Sequence, residues 1–115
     1  MPKGTDDEKM IRRQAIRDAT LVATQKPFET AQLALKLLEV LPELATTGNA
    51  NAVSDVGVAG LLASAACKGA LFNVDINLQG LPDEMAVEIR KEAPEILDNS
   101  RLLSRKVMDA VRDRM

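Results

Sequence analysis

The sequence predicts an all-α fold, a helical bundle of long kinked helices with a buried Gly/Ala-rich central helix. Three stretches carry apolar residues at helical spacing, caps and stop residues bracket them, and no stretch sustains the period-2 alternation of a half-buried strand. Hydrophobic residues make up 46% of the chain but aromatics only 2%, with no Trp and no Tyr. A core of Leu, Ile, Val, Met and Ala interdigitates between helices better than it fills a β-sandwich. At 115 residues the chain is expected to form one helical domain over 1–115, burying roughly 65% of its unfolded surface if compact.

The first helix is predicted over 6–45. Thr5, with Glu8 three residues on, has the spacing of a capping box, and Asp6, Asp7 and Glu8 place negative charge at the positive end of the helix dipole. Ile11, Ala15, Asp18 and Val22 share a face, flanked by Ile16, Ala19 and Ala23. Pro27 has no N–H to give, so an interruption is expected there, as a kink or as the start of a new helix. Phe28, Ala31, Leu35 and Leu38 carry the stripe onward to a stop at Gly48.

The second helix is predicted over 52–78, capped by Asn51 or Ser54 and ended by Gln79-Gly80-Leu81-Pro82. No charge occurs from Val56 to Cys67. That run is too short to span a bilayer and Lys68 closes it, so a buried helix is expected and not a membrane span. Gly57, Gly60 and Ser64, with Ala59, Ala63, Ala66 and Ala70, let neighbouring helices come close; each Gly costs about 1 kcal/mol of helix propensity that packing must offset. The third helix is predicted over 83–112, with Pro82 in its first turn, an interruption at Pro94, and a stripe of Ile96, Leu103, Val107 and Val111. Arg12, Arg13, Arg101, Arg105, Lys106, Arg112 and Arg114 read as solvated faces.

Fifteen basic and 17 acidic residues, net −2, give no field that would draw nucleic acid or an anionic membrane. Cys67 stands alone, so no disulfide framework is expected, and a reducing cytosol is the expected compartment. The N-terminal residues contain no apolar run of a signal peptide. There is no His, which removes the commonest general base and zinc ligand and argues against a metal site.

Asp55 and Asn73 are eighteen residues apart, five turns of helix, and therefore point the same way, with Asn77 one turn further. They are nevertheless about 27 Å apart along the axis. One small ligand cannot touch both within one copy; an antiparallel second copy could bring the two ends together, so a homodimer or higher homo-oligomer is expected. Each residue also has a plain reading. Asp55 suits a first helical turn, the asparagines can cap or bridge helices, and Gly48-Asn49-Ala50-Asn51 suits a turn between helices. Residue physics alone reaches a helical domain and no reaction.

Certain residues go further as a set. Pro2-Lys3-Gly4-Thr5 with Glu8 and Arg12, then Gly48-Asn49-Ala50-Asn51, Ser54-Asp55-Val56-Gly57-Val58-Ala59, Gly69-Ala70, Asn73-Val74 and Ile76-Asn77-Leu78 resemble, in order, the cyclodeaminase family. That family includes cyclodeaminase domains and stand-alone methenyltetrahydrofolate cyclohydrolases. The resemblance implies cofactor-free chemistry on a tetrahydrofolate derivative: cyclodeamination of the 5-formimino form to 5,10-methenyltetrahydrofolate, or hydrolysis of the methenyl form. It implies Asp55 as a catalytic acid or base and Lys3, Asn51, Ser54, Asn73 and Asn77 as substrate-binding residues. Family members are nearly twice as long, with a Gly-rich and Asp-containing front half that holds a catalytic carboxylate. The chain opens at the Pro-Lys motif and is therefore expected to be the C-terminal half. The alternative expectation is a non-catalytic helical dimerisation module derived from this family.

Overall fold

Thr5 caps the first helix as its spacing dictates. Its Oγ1 accepts from the Glu8 N–H at 3.1 Å, while the Glu8 carboxylate accepts from the N–H groups of Thr5 (3.3 Å) and Gly4 (2.9 Å). From that cap α1 runs Asp6–Thr47; a 3-10 turn, Ala50–Ala52, leads into α2, Val53–Gln79; α3 is Val87–Arg114. The structure is a computed structural model that describes residues 4–115, and no strand occurs among them. The short connections send α2 back along α1 and return α3 parallel to α1, and each helix packs on the other two.

Two apolar clusters fill the space between the helices. One, toward the α2–α3 turn, gathers Phe28, Ala31, Leu71, Val74, Ile89 and Ile96; the other, toward the α1–α2 turn, gathers Leu38, Leu41, Val53, Val56, Val107 and Val111. Leu38, Val74 and Val107 are wholly buried, each worth roughly 1.5–3 kcal/mol of removal from water. Gly60 sets the α2–α3 spacing. A Cβ there would lie 2.8 Å from Val107 Cγ1, so only glycine lets the stiff Val107 side chain sit against the α2 backbone. Gly69, by contrast, faces open space, with nothing within 4 Å of where its Cβ would be.

No new helix starts at Pro27 or Pro94. α1 is one helix through Pro27 and Pro42, and α3 is one through Pro94. A helical proline deprives the carbonyl four residues earlier of its donor. For Pro27 that carbonyl is Ala23, and the Asn77 side-chain amide of α2 donates to it at 3.4 Å. A neighbouring helix thus supplies the bond that Pro27 removes. Pro94 is exposed, so its ring meets no neighbouring helix.

Helix starts also differ from expectation. Neither Asn51 nor Ser54 caps α2: its cap position is Ala52, which makes no side-chain bond, and Asn49 instead caps the 3-10 turn by accepting from the Asn51 N–H at 2.9 Å. The third helix begins at Val87 and not near 83, after Ala86 takes the left-handed conformation (φ 58°, ψ 39°). The chain from Leu81 to Met85 is held as a turn by Arg90. Its Nε donates to the Met85 carbonyl, and its guanidinium to those of Leu78, Leu81 and Pro82, at 3.0–3.2 Å. Arg114 does the same for α1, donating to the carbonyls of Ala45 (2.9 Å) and Gly48 (2.8 Å). Neither α1 nor α2 has a basic residue in its last turn, so α3 brings the positive charge that both C-termini favour.

The expectation of a buried central helix holds for one side only. Val58, Leu61, Leu62, Phe72 and Ile76 of α2 are exposed. The segment Ala50–Gln79 is long and apolar enough to cross a membrane by length and composition alone, with a mean hydropathy of 1.4 over a window that is 39% buried in this fold.

Gly60→Ala is expected to destabilise the chain by about 1–3 kcal/mol, because overpacking against Val107 outweighs the propensity gain. Gly69→Ala is expected to stabilise the isolated chain by up to about 1 kcal/mol. Urea unfolding of the two variants gives opposite signs if the α2–α3 contact is as described. Arg90→Ala is expected to lower stability by about 2 kcal/mol, with Arg90→Lys restoring only part, since an ammonium cannot reach several carbonyls in a fork.

Candidate functional site

Asp55 stands in the first turn of α2, beside the end of α1. There the two helices leave a cleft of about 300 Å³ between Leu41, Leu44 and Gly48 on one side and Ala52, Asp55, Val56 and Ala59 on the other, with Asn49 at the rim. Among the described residues Asp55 is the only charged group lining this cleft. The start of α2 has no side-chain cap, its Val53 N–H bonding the Ala50 carbonyl of the 3-10 turn, and it presents the positive end of the helix dipole. Asp55 is exposed at the edge of these apolar walls, from where its carboxylate can accept and return a proton. The volume lies at the low end of ligand pockets.

The other expected site residues divide into two ends. Asn51 and Ser54 are exposed in the turn and first helical turn beside Asp55. Asn73 is exposed on the same side of α2, about 27 Å further along the axis. Asn77 is half-buried, with one amide N–H committed to Ala23. Lys3 lies outside the described residues. Asp55, Asn51 and Ser54 are thus neighbours along the chain, although neither Asn51 nor Ser54 lines the Asp55 cleft, and Asn73 and Asn77 stand apart from them toward the other end of α2.

Two further grooves contain none of these residues. Between α1 and α3 an open groove of about 590 Å³ is lined by Glu29, Glu39, Glu92 and Glu95 around Lys36. Between α2 and α3, Lys68, Arg101, Arg105 and Arg112 line a groove of about 510 Å³ with Asp109. Residue spacing alone missed the two arginines that hold the scaffold, Arg90 and Arg114. The absence of any basic residue in the last turns of α1 and α2 was the available signal.

Fold and site together define an all-helical protein of three long helices whose polar candidates lie on an open face and do not close a pocket. The chain belongs to the formiminotransferase-cyclodeaminase family, whose sequence profile matches residues 1–95. It is 33% identical over 116 residues to a methenyltetrahydrofolate cyclohydrolase of Methylorubrum extorquens, covering 100% of this chain and 56% of that protein. It is 30% identical over 115 residues to a formimidoyltransferase-cyclodeaminase of Sus scrofa, covering 99% of this chain and 21% of the relative. Over 84 residues it is 36% identical to the Gallus gallus formimidoyltransferase-cyclodeaminase, 73% of this chain and 16% of that one. The chain thus spans a little over half of the cyclohydrolase and a smaller share of the two-activity proteins.

Cys67 lies apart from this face, in the core. Its thiol is wholly buried and donates to the Ala31 carbonyl at 3.7 Å. Burial raises its pKa above the ordinary 9.0, against smaller opposing effects of a Ser100 hydrogen bond and of the Lys68 charge. The folded chain accordingly holds this proton more tightly than the unfolded chain. Its contribution to stability is complete below the unfolded value and is lost as pH climbs toward the raised one. Native protein is expected to react with a disulfide reagent such as 5,5′-dithiobis(2-nitrobenzoate) at least tenfold more slowly than urea-unfolded protein, measured by thiolate release. Equal rates would show that the helices open around Cys67.

Proposed function

We propose that the chain supplies the C-terminal half of a folate one-carbon enzyme. The observation that carries this reading is the match of the whole chain to a cyclohydrolase, with the motif carboxylate Asp55 alone in an apolar cleft. The reactive centre is the carbon that bridges N5 and N10 of tetrahydrofolate. In the cyclodeaminase reaction N10 attacks a formimino carbon, the N10 proton is removed, and the amino group leaves as ammonia. In the cyclohydrolase reaction water adds to the methenyl carbon and one C–N bond opens. Both are proton-transfer chemistry on an electrophilic carbon, helped mainly by position and by one well-placed acid or base.

In this reading Asp55 carries the proton, Asn51 and Ser54 hold polar atoms of the ring system near it, and Asn73 serves the far end of an extended substrate. Lys3, from the family motif, joins the substrate-binding set. The wall opposite Asp55 is not supplied by these three helices, so the isolated chain is expected to turn over weakly or not at all.

The test follows the absorbance of 5,10-methenyltetrahydrofolate. It uses the chain alone and the chain preceded by the front half of the Methylorubrum extorquens cyclohydrolase. Activity is expected only in the longer protein, and Asp55→Asn there should lower kcat by about 10²-fold or more with the helical circular dichroism unchanged. A full rate after that substitution would reduce Asp55 to a first-turn acid. Silence of the longer protein would favour the non-catalytic helical module.

A further inference from the structure

We infer that Arg114, in the last turn of α3, is a positioning residue for the Asp55 cleft: by gripping the end of α1 it fixes the joint from which the first turn of α2 departs. The kinetic consequence rests on the folate reading; the geometry does not.

Arg114 reaches that joint because of where its helix is seated. Val107, Val111 and Arg114 are spaced four and three apart and so share one side of α3. Val107 and Val111 lie against the α2 backbone at Gly60 and Gly57, and that contact directs the half-buried Arg114 side chain to the end of α1. Its Nη1 donates to two carbonyls at once, Ala45 at 2.9 Å and Gly48 at 2.8 Å. Ala45 is wholly buried in the last turn of α1. Gly48 is the cap of that helix and part of the wall of the Asp55 cleft. One guanidinium nitrogen therefore ties the helix to the residue at which the chain leaves it.

From that anchor a short series of bonds leads to Asp55. The Asn49 side chain accepts from the Asn51 N–H at 2.9 Å, the Ala52 N–H bonds the Asn49 carbonyl at 2.9 Å, and the Val53 N–H bonds the Ala50 carbonyl. Val53 opens α2, and Asp55 stands two residues on. With no side-chain cap at Ala52, the start of α2 takes its direction from this turn, and the turn takes its own from Gly48. Leu41 and Leu44, the other α1 residues lining the cleft, lie within two helical turns of the same anchor.

The length of α1 raises the importance of its end. α1 has 42 residues against 27 and 28 in α2 and α3. Residues 6–20 outrun the bundle with no buried side chain, so the packing that places α1 is confined to its later part. Arg90 provides the comparison. It grips carbonyls in the same way at the α2–α3 joint, but none of the residues it bonds lines the Asp55 cleft. Arg114 also lies beyond residues 1–95, the stretch that the family profile matches.

The test reads hydrogen exchange by mass spectrometry on residues 1–115, and turnover in the longer protein that carries the Methylorubrum extorquens front half. In Arg114→Ala the amides of 45–56 should exchange at least tenfold faster while those of 81–90 keep wild-type rates, and Arg90→Ala should do the reverse. In the longer protein Arg114→Ala should lower kcat at least tenfold, because a displaced carboxylate loses its proton-transfer geometry. Arg90→Ala, assayed like it below the melting transition, should stay within twofold of wild type. Arg114→Lys, whose ammonium stops one C–N bond, ~1.3 Å, short of Nη1, should fall between wild type and alanine in both readouts. A residue serving stability alone would speed exchange in the two segments alike; that result overturns the inference, as does unchanged exchange over 45–56. Wild-type behaviour of Arg114→Lys also overturns it, since charge at the end of α1 would then suffice without the grip on two carbonyls. A longer protein that is silent before any substitution removes the folate reading alone, and the exchange pattern then decides the inference. Turnover indifferent to Arg114→Ala removes the positioning inference alone.

Discussion

Backbone carbonyls without a helical donor govern how these three helices fit together. Each joint of the fold contains such a set, and a side chain from another helix meets it. Asn77 bonds the Ala23 carbonyl that Pro27 strands in mid-helix. Arg90 gathers the end of α2 and the turn after it, and Arg114 gathers the end of α1. Ala23 is exposed, but the carbonyls that Arg90 and Arg114 meet are in part-buried bonds, and a buried carbonyl left unmet costs about 1–3 kcal/mol. These polar contacts fix the register along which the apolar clusters close; apolar packing alone, being non-directional, would tolerate sliding.

The asymmetry of α2 follows from the same arrangement. Its packed side is narrow because Gly57 and Gly60 draw α3 in until Val107 and Val111 touch the helix backbone. Close approach on that side turns the larger residues Leu61, Leu62, Phe72 and Ile76 outward. A domain is ordinarily two layers of structure around a shared core; here the three helices supply one such surface and leave its complement bare. Asp55 sits where that bare surface meets the α1–α2 joint, so an acid and an unfilled wall occur together.

The sequence made the fold class legible, because caps and periodic stripes are local signals. Thr5 and Glu8 form the predicted box and Gly48 ends α1. Prolines were misleading because a long packed helix can carry them: α1 continues through Pro27 and Pro42 and α3 through Pro94, and the Asn77 bond to the carbonyl that Pro27 strands comes from fifty residues away, which local reading cannot pair with it. The late start of α3 has the same origin, since Pro82-Asp83-Glu84 has the composition of a helix start but Arg90 holds that stretch as a turn. Of the candidate site, the place of Asp55 in the first turn of α2 was legible, being local. The occupation of Asn77 by α1 was not. The half-exposed state of α2 was hidden by composition, because an apolar helix reads alike whether its outer side meets this chain, another chain or lipid.

The projecting start of α1 has a consequence for motion. Residues 6–20 lack buried side chains and rely on the Thr5–Glu8 box, the Gln14–Asp18 bond at 2.8 Å and the Thr20 hydroxyl on the Ile16 carbonyl. Helix formation without tertiary contacts is marginal at this length. Amide protons along the arm therefore exchange with solvent by local fraying, while those around Leu38, Val74 and Val107 exchange only when the bundle itself opens. The fold thus contains two cooperative units on one continuous helix, divided near the turn where Asn77 grips Ala23.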